Sequence, residues 1–207
     1  MQIFVLTDEV IEKEFRSKNL TANIQVTFAE KLSDIPEGSS ADAFFILKEG
    51  IMKENFEIII NKPVFINATI DTLKELDLPE NFSRINGWPT FVCREIWEIA
   101  TKNNEIVKDI FEKLGWKYIT VADEPGLVAA RIISMIINEA YFALGEKVSS
   151  KDEIDLAMKL GTNYPYGPFE WSRKIGLDKI YQLLERLSKT DSRYTLAQAM
   201  LNEISNS

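Results

Sequence analysis

The sequence predicts an α/β unit with a mostly parallel sheet, followed by an all-α unit. Three observations carry this. Short apolar runs rich in β-branched and aromatic residues recur through the first part of the chain. After Asp123 the periodicity becomes purely helical. Proline, glycine and capping residues then fall where helices should start and stop.

In order along the chain, residues 2–7 (QIFVLT), 24–29 (IQVTFA), 43–47 (AFFIL) and 63–68 (PVFINA) read as four parallel strands. They are nearly continuous apolar runs, as expected of strands covered on both faces. DEVIEKEFRSKN, after the first strand, reads as a helix with Val10, Ile11 and Phe15 on its inner face, and TLKELDLP as a shorter helical turn. EIWEIATKNNEIVKDIFEKLGW suggests a helix pair or one interrupted helix, and WKYITVAD a last strand ending at Asp123. The sheet therefore looks small and thinly covered. The expected units are residues 1–122 and 123–207.

In the second unit, Pro125 fits the first turn of a long helix, where a missing N–H costs nothing. Leu127 to Leu144 is apolar around most of its circumference and is expected to be buried. Ser150 and Glu153 form a capping box for IDLAMKL, closed by Gly161. Pro168 opens FEWSRKI, closed by Gly176, and Asp178 is expected to cap KIYQLLERL. RYTLAQAMLNEI is the last helix, with Leu196, Ala199 and Met200 inward.

Composition excludes several function classes. With 45% hydrophobic and 27% charged residues the 207-residue chain is expected to be soluble and globular. Its 32 acidic against 24 basic residues, a net charge of -8, oppose binding to nucleic acid or anionic membranes. No apolar run reaches the roughly 18 residues of a membrane span, and the opening reads as a strand, not a signal peptide. One cysteine, Cys93, excludes an internal disulfide framework and suits a reducing compartment, the cytoplasm by default. There is no histidine, so the commonest neutral-pH base is missing and a metal site is not expected.

Residues 123–178 carry a combined pattern of Asp123, Pro125, Gly126, Arg131, Glu139-Ala140, Glu153-Ile154-Asp155, Gly161, Pro165, Gly167-Pro168-Phe169-Glu170 and Gly176-Leu177-Asp178. This resembles the C-terminal helical domain of L-3-hydroxyacyl-CoA dehydrogenases. The resemblance implies a reduced Rossmann-like first unit, an acyl-CoA substrate, NAD as cofactor and a homodimer formed through the helical unit.

The family's chemistry maps onto altered residues. Its catalytic histidine and orienting glutamate lie on a stretch similar to NGWPTFVCREIWE, which puts Asn86 at the histidine and Glu98 at the glutamate. Asparagine hydrogen-bonds but cannot act as a base. The family's serine falls near Thr69, with Asn67 retained beside it, and its asparagine falls on Ala130. The Gly-x-Gly-x-x-Gly turn that brings backbone to the dinucleotide pyrophosphate is replaced by Thr7, Glu9 and Glu12, with Asp8 between, and Glu30 is a late substitute for the ribose-binding acid. NAD is thus implied by the resemblance alone, and ordinary binding of it is not expected.

Plainer roles stand beside these. Glu98 reads equally as an exposed residue on an amphipathic helix, and Thr69 with Asn67 as strand-end turn chemistry. The Tyr164-Pro-Tyr-Gly-Pro-Phe-Glu run reads as a structural corner, Cys93 as a packed small side chain, and Trp88 and Trp97 as core. Asp8, Glu9, Glu12 and Glu14 read as a solvated face. Three functions stay open: an inactive relative that binds an acyl-CoA-type ligand in the interdomain cleft; an oxidoreductase with a rearranged site in which Glu98 acts as base; and a dimeric interaction protein with no ligand. The catalytic set is then Glu98, Asn86 and Thr69, with no metal ligands.

Overall fold

The apolar runs do form strands, and the sheet is larger than four of them. The computed structural model describes residues 1–20, 23–36, 40–48, 59 and 61–206. The first compact unit, Met1–Leu127, contains β1 (Gln2–Leu6), α1 (Glu9–Arg16), β2 (Gln25–Ala29), a 3-10 turn (Leu32–Asp34), β3 (Ala43–Ile46), β4 (Val64–Asn67), β5 (Phe82–Ile85), β6 (Ile96–Thr101), α2 (Asn104–Leu114) and β7 (Lys117–Thr120). The seven strands lie in the order β2-β1-β3-β4-β5-β6-β7. β2 to β5 run parallel with β1, β6 turns antiparallel to β5 (Ile85 opposite Ile99), and β7 runs parallel to β6 (Glu98 beside Ile119).

Both faces of this sheet are covered, which explains the continuous apolar runs. On one face α1 and α2 contribute Ile11, Phe15, Val107 and Phe111 to a cluster with Val5, Phe45 and Phe65. On the other, Phe4, Phe44, Ile66 and Phe82 pack with Leu32 and Leu73. Val10 is the exception on α1, since it is 59% exposed while Ile11 and Phe15 are buried.

Two strands depart from the sequence reading, each for a physical reason. β5 was missed because its middle is polar: Ser83 and Arg84 are buried, and Ser83 Oγ donates to Thr101 Oγ1 at 2.9 Å. β6 carries the first part of what read as helix. Trp97 and Ile99 point inward and Ile96 outward, a period of two. The helix starts only after Asn103, whose side chain accepts from the Ile106 amide at 3.3 Å, and ends at Gly115 in the left-handed region (φ 70°). The TLKELDLP segment forms turns and no helix.

The second compact unit, Val128–Ser207, is helical: α3 (Ala129–Gly145), α4 (Lys151–Thr162), α5 (Pro168–Ile175), α6 (Leu177–Ser188), a 3-10 turn (Ser192–Tyr194) and α7 (Gln198–Ser205). α3 packs against α5, α6 and α7. It begins later than Pro125 suggests, because residues 125–128 form a turn with Leu127 at φ 49°. Nor is it buried all round: Ala130, Ile133, Ile137 and Tyr141 face the core, while Ile132 is 53% exposed. Gly161 lies inside α4, and Asn163 (φ 57°) supplies the left-handed cap. α6 starts at Leu177, so Asp178 sits in its first turn rather than at its cap. The last predicted helix divides into the 3-10 turn and α7, with Tyr194, Ala197 and Met200 as the buried residues of that segment.

Candidate functional site

In open α/β sheets, ligands bind beyond the carboxyl ends of the parallel strands. At that end of β4 and β5 lie three of the polar residues singled out above. Asn67, the last residue of β4, donates from Nδ2 to the Leu47 carbonyl at 3.1 Å. Its Oδ1 accepts from Thr69 Oγ1 at 3.0 Å and from the Gly87 amide at 3.1 Å. Asn67 is therefore a buried clamp joining three chain segments. A side chain at Gly87 would strike it, since a Cβ there would lie 2.6 Å from Asn67 Cγ.

Asn86 follows β5 and is 4% exposed. Its Oδ1 accepts from the Trp88 amide at 3.3 Å, and its Nδ2 is buried with no hydrogen-bond partner among the described residues. Glu98 precedes Ile99, the partner of Ile85 across β5 and β6, so Asn86 and Glu98 each stand one residue past the last paired position. Glu98 is thus a half-buried strand residue, contrary to the amphipathic-helix reading, and it acts on the Arg94 guanidinium, whose pKa burial lowers and Glu98 raises. Ala130 belongs to the second unit, fully buried in the first turn of α3.

Sequence reasoning missed Arg84. Its side chain is wholly buried in β5. Nε donates to the Ala68 carbonyl at 2.8 Å, and Nη2 donates to the carbonyls of Thr69 at 3.2 Å and Glu124 at 3.4 Å. Nη1 pairs with Asp123, which also accepts from the Leu73 and Lys74 amides at 3.0 and 3.3 Å. One guanidinium thus fixes the loop after β4 and the segment carrying the Asp123 signature. A charged residue in a strand of four was the available signal, because such a group is buried only when partnered.

The β1–α1 turn is a separate place. Asp8 caps α1, its Oδ1 accepting from the Val10 and Ile11 amides at 3.0 and 2.9 Å. Glu9 and Glu12 pair with Lys13 and Arg16 one helical turn on. Thr7, Glu9 and Glu12 line a cleft of about 450 Å3 together with Phe28, Glu30 and Asp34. Glu14 departs from the solvated face: its Oε1 accepts from the Thr90 amide at 2.7 Å, and Thr90 is held at φ 76°. Cys93 is open to solvent rather than packed in the core, though neighbouring groups desolvate it in part, and this together with Glu14 raises its thiol pKa. Trp88 and Trp97 are core residues, and Trp97 stacks on Trp116 at 5.6 Å.

The signature of the helical unit is used for backbone capping. Buried Asp155 accepts from the Phe169 and Glu170 amides at 2.7 and 3.1 Å, and Glu170 reaches back to the Gly167 amide at 3.0 Å. Gly167 fits because a Cβ there would lie 2.3 Å from Asp155 Oδ1.

A mostly parallel sheet unit followed by a helical unit with this capping pattern defines a class of two-unit dehydrogenase-like proteins. The solved (S)-3-hydroxybutyryl-CoA dehydrogenase from Ralstonia eutropha has the same fold, with a TM-score of 0.69 at 20% identity over 99% of this chain and 93% of that one. The family model of the 3-hydroxyacyl-CoA dehydrogenase C-terminal domain matches residues 126–206. The 3-hydroxybutyryl-CoA dehydrogenase of Bradyrhizobium diazoefficiens is 30% identical over 206 residues, covering 91% of this chain and 69% of that protein. The chain belongs to the 3-hydroxyacyl-CoA dehydrogenase family. It is also 46% identical over 76 residues to the 3-hydroxyadipyl-CoA dehydrogenase of Escherichia coli, a match spanning 37% of this chain but only 16% of that protein.

Proposed function

We propose that this chain binds an acyl-CoA-type thioester at the Asn67–Thr69–Asn86 end of the sheet and does not run ordinary NAD-dependent hydride transfer. The observation that carries this reading is Asn86, a buried amide whose Nδ2 has no partner among the described residues and which the resemblance aligns with the family's histidine. A buried N–H without an acceptor costs free energy, so a ligand carbonyl that accepts from it gains more than its own hydrogen bond. Asparagine can hold a carbonyl oxygen in this way, yet it cannot take the hydroxyl proton that must leave as hydride departs.

The β1–α1 turn supports the second half of the proposal, because its residues do not fit a dinucleotide. The helix-start amides that would meet a pyrophosphate already bond to the Asp8 carboxylate. The adjoining cleft is lined by Glu9, Glu12, Glu30 and Asp34, which repel phosphate. Thermal-shift titrations with acetoacetyl-CoA and with NADH test both halves, since a ligand of the native state raises Tm by mass action. Acetoacetyl-CoA is expected to raise Tm and NADH to leave it unchanged. A shift with NADH, or NADH formation from 3-hydroxybutyryl-CoA and NAD that Glu98→Gln abolishes, would instead support a rearranged oxidoreductase.

We also propose that the helical unit self-associates into a homodimer. Val128 and Ile132 at one end of α3 are 43% and 53% exposed, and Leu156 and Leu160 on α4 are 54% and 78% exposed. Val128 with Ile132, and Leu156 with Leu160, each lie one helical turn apart, so each helix exposes an apolar stripe suited to a partner. Light scattering should give a dimer mass at micromolar concentration that Ile132→Glu halves; a monomer in the parent chain refutes it.

A further inference from the structure

A second recess lies away from the Asn86 cluster. It is a cleft of about 290 Å3, walled by Lys18 after α1, Cys93 and Arg94 before β6, and Trp116 and Lys117 where β7 begins. Lys18 is its chemically distinctive group. Its Nζ donates to the carbonyls of Val92 at 3.2 Å and Arg94 at 2.6 Å. It also lies over two indole rings, 4.7 Å from the centre of Trp97 and 5.1 Å from that of Trp116. Trp116 is itself fixed by its Nε1 donating to the Asn19 carbonyl at 3.1 Å.

Lysines 13, 113, 117, 151 and 159 are each paired with a carboxylate. Lys18 forms no ion pair among the described residues. A neutral amine has two N–H bonds and one lone pair. Val92 and Arg94 can take both N–H bonds, which leaves the lone pair for an electrophile entering the cleft. We propose that Lys18 is an acyl-accepting residue whose amine attacks the carbonyl carbon of a small activated thioester. In that step the C–N bond forms and the C–S bond breaks. The amine proton leaves with the thiolate as free thiol, so amine plus thioester gives amide plus thiol.

Desolvation favours the neutral, reactive amine, against the two indole faces and the carbonyl acceptors, which favour the ammonium. Burial lowers the amine pKa to about 8, against the opposing charge of the Cys93 thiolate. The charged and titratable groups nearby are Glu14 on α1, Cys93 and Arg94, and the mutually paired Glu95 and Lys117. Desolvated lysines of this kind are the ones that act as nucleophiles. At pH 7 an amine of pKa 8 is about a tenth neutral, whereas an ordinary lysine is less than a thousandth neutral. Lower basicity takes back part of that gain in nucleophilicity, leaving an advantage on the order of tenfold.

The proposal does not rest on the acyl-CoA reading of the Asn86 site, and the test separates the two. The folded chain is incubated with acetyl-CoA between pH 7 and 9, and acetylation of each lysine is followed by peptide mass spectrometry. Lys18 should be labelled about tenfold faster at pH 7 than exposed Lys74 and Lys108, and its rate should level off above pH 8. Asn86→Ala should leave that rate unchanged. Labelling of Lys18 no faster than of Lys74 and Lys108 overturns the proposal, as does an equal excess in the urea-unfolded chain. Loss of Lys18 labelling in Asn86→Ala overturns it too, because the acyl donor would then be delivered from the other site.

Discussion

Removing either half of the Arg84–Asp123 pair should destabilise the first unit, and by unequal amounts. Asp123→Ala strands a guanidinium that is fully buried and cannot lose its proton, and it also orphans the Leu73 and Lys74 amides. About 4 kcal/mol is expected, the range for a buried charge left uncompensated. Arg84→Met keeps most of the volume and leaves a carboxylate that is 31% exposed and still held by two amides. Its cost comes from the Ala68 carbonyl losing its donor, while the Thr69 and Glu124 carbonyls lose only the second of two and still accept from the Gly126 and Leu127 amides, about 2 kcal/mol in all. In the double variant neither charge is stranded, so it should be less destabilised than the sum of the singles by about 2 kcal/mol. Urea unfolding, followed by the fluorescence of Trp88, Trp97 and Trp116, reads this out. With m near 2 kcal/mol/M the midpoints should fall by roughly 2 M for Asp123→Ala and 1 M for Arg84→Met. An Arg84→Met variant weaker than Asp123→Ala, or an additive double, would refute the assignment of Arg84 as a buried cation held by Asp123.

Three further outcomes follow from the geometry. Gly167→Ala places a Cβ 2.5 Å from the Asp155 backbone at an ordinary φ of -75°, so its cost is steric; about 3 kcal/mol is expected from overpacking and from the Asp155 cap on α5, and an unchanged Tm rejects the cap. Glu153 has its pKa lowered from 4.5 to about 2 by hydrogen bonds from Ser149 and Ser150, so its contribution to stability is present above pH 4.5 and lost as pH falls toward 2; Glu153→Gln should flatten that acid limb, and an identical pH profile contradicts it. Asn86→His supplies an imidazole but leaves the β1–α1 turn unchanged, so NADH formation from 3-hydroxybutyryl-CoA should stay at background; turnover from this single change would overturn the dinucleotide part of the proposal.

The helix punctuation was legible because it is local. Ser150 and Glu153 sit three residues apart and form their capping box as read, and Pro168 opens α5 where the sequence put it. β6 was misread because IWEIAT runs straight toward a good helix with only Asn103 to mark the change, and a six-residue stretch satisfies both periods. β5 was invisible for the opposite reason, since Arg84 and Ser83 break its apolar run. Their burial depends on Asp123, 39 residues away, and Thr101, 18 away.

The candidate site divides along the same line. That Asn86 is no base could be read from residue type alone. What it does instead could not, because its surroundings are set by a clamp from Asn67 that reaches 20 residues in each direction, to Leu47 and to Gly87. The same applies to the turn after β1. Its acidic residues suggested repulsion of phosphate, but the stronger argument is that Asp8 already occupies the helix-start amides. A glycine-rich turn leaves those donors open for a ligand, whereas an aspartate there satisfies them from within. Loss of the glycines alone would weaken dinucleotide binding. On the proposed reading, the filled donors leave this turn little to offer an anion, which is why a histidine at position 86 is expected to be insufficient.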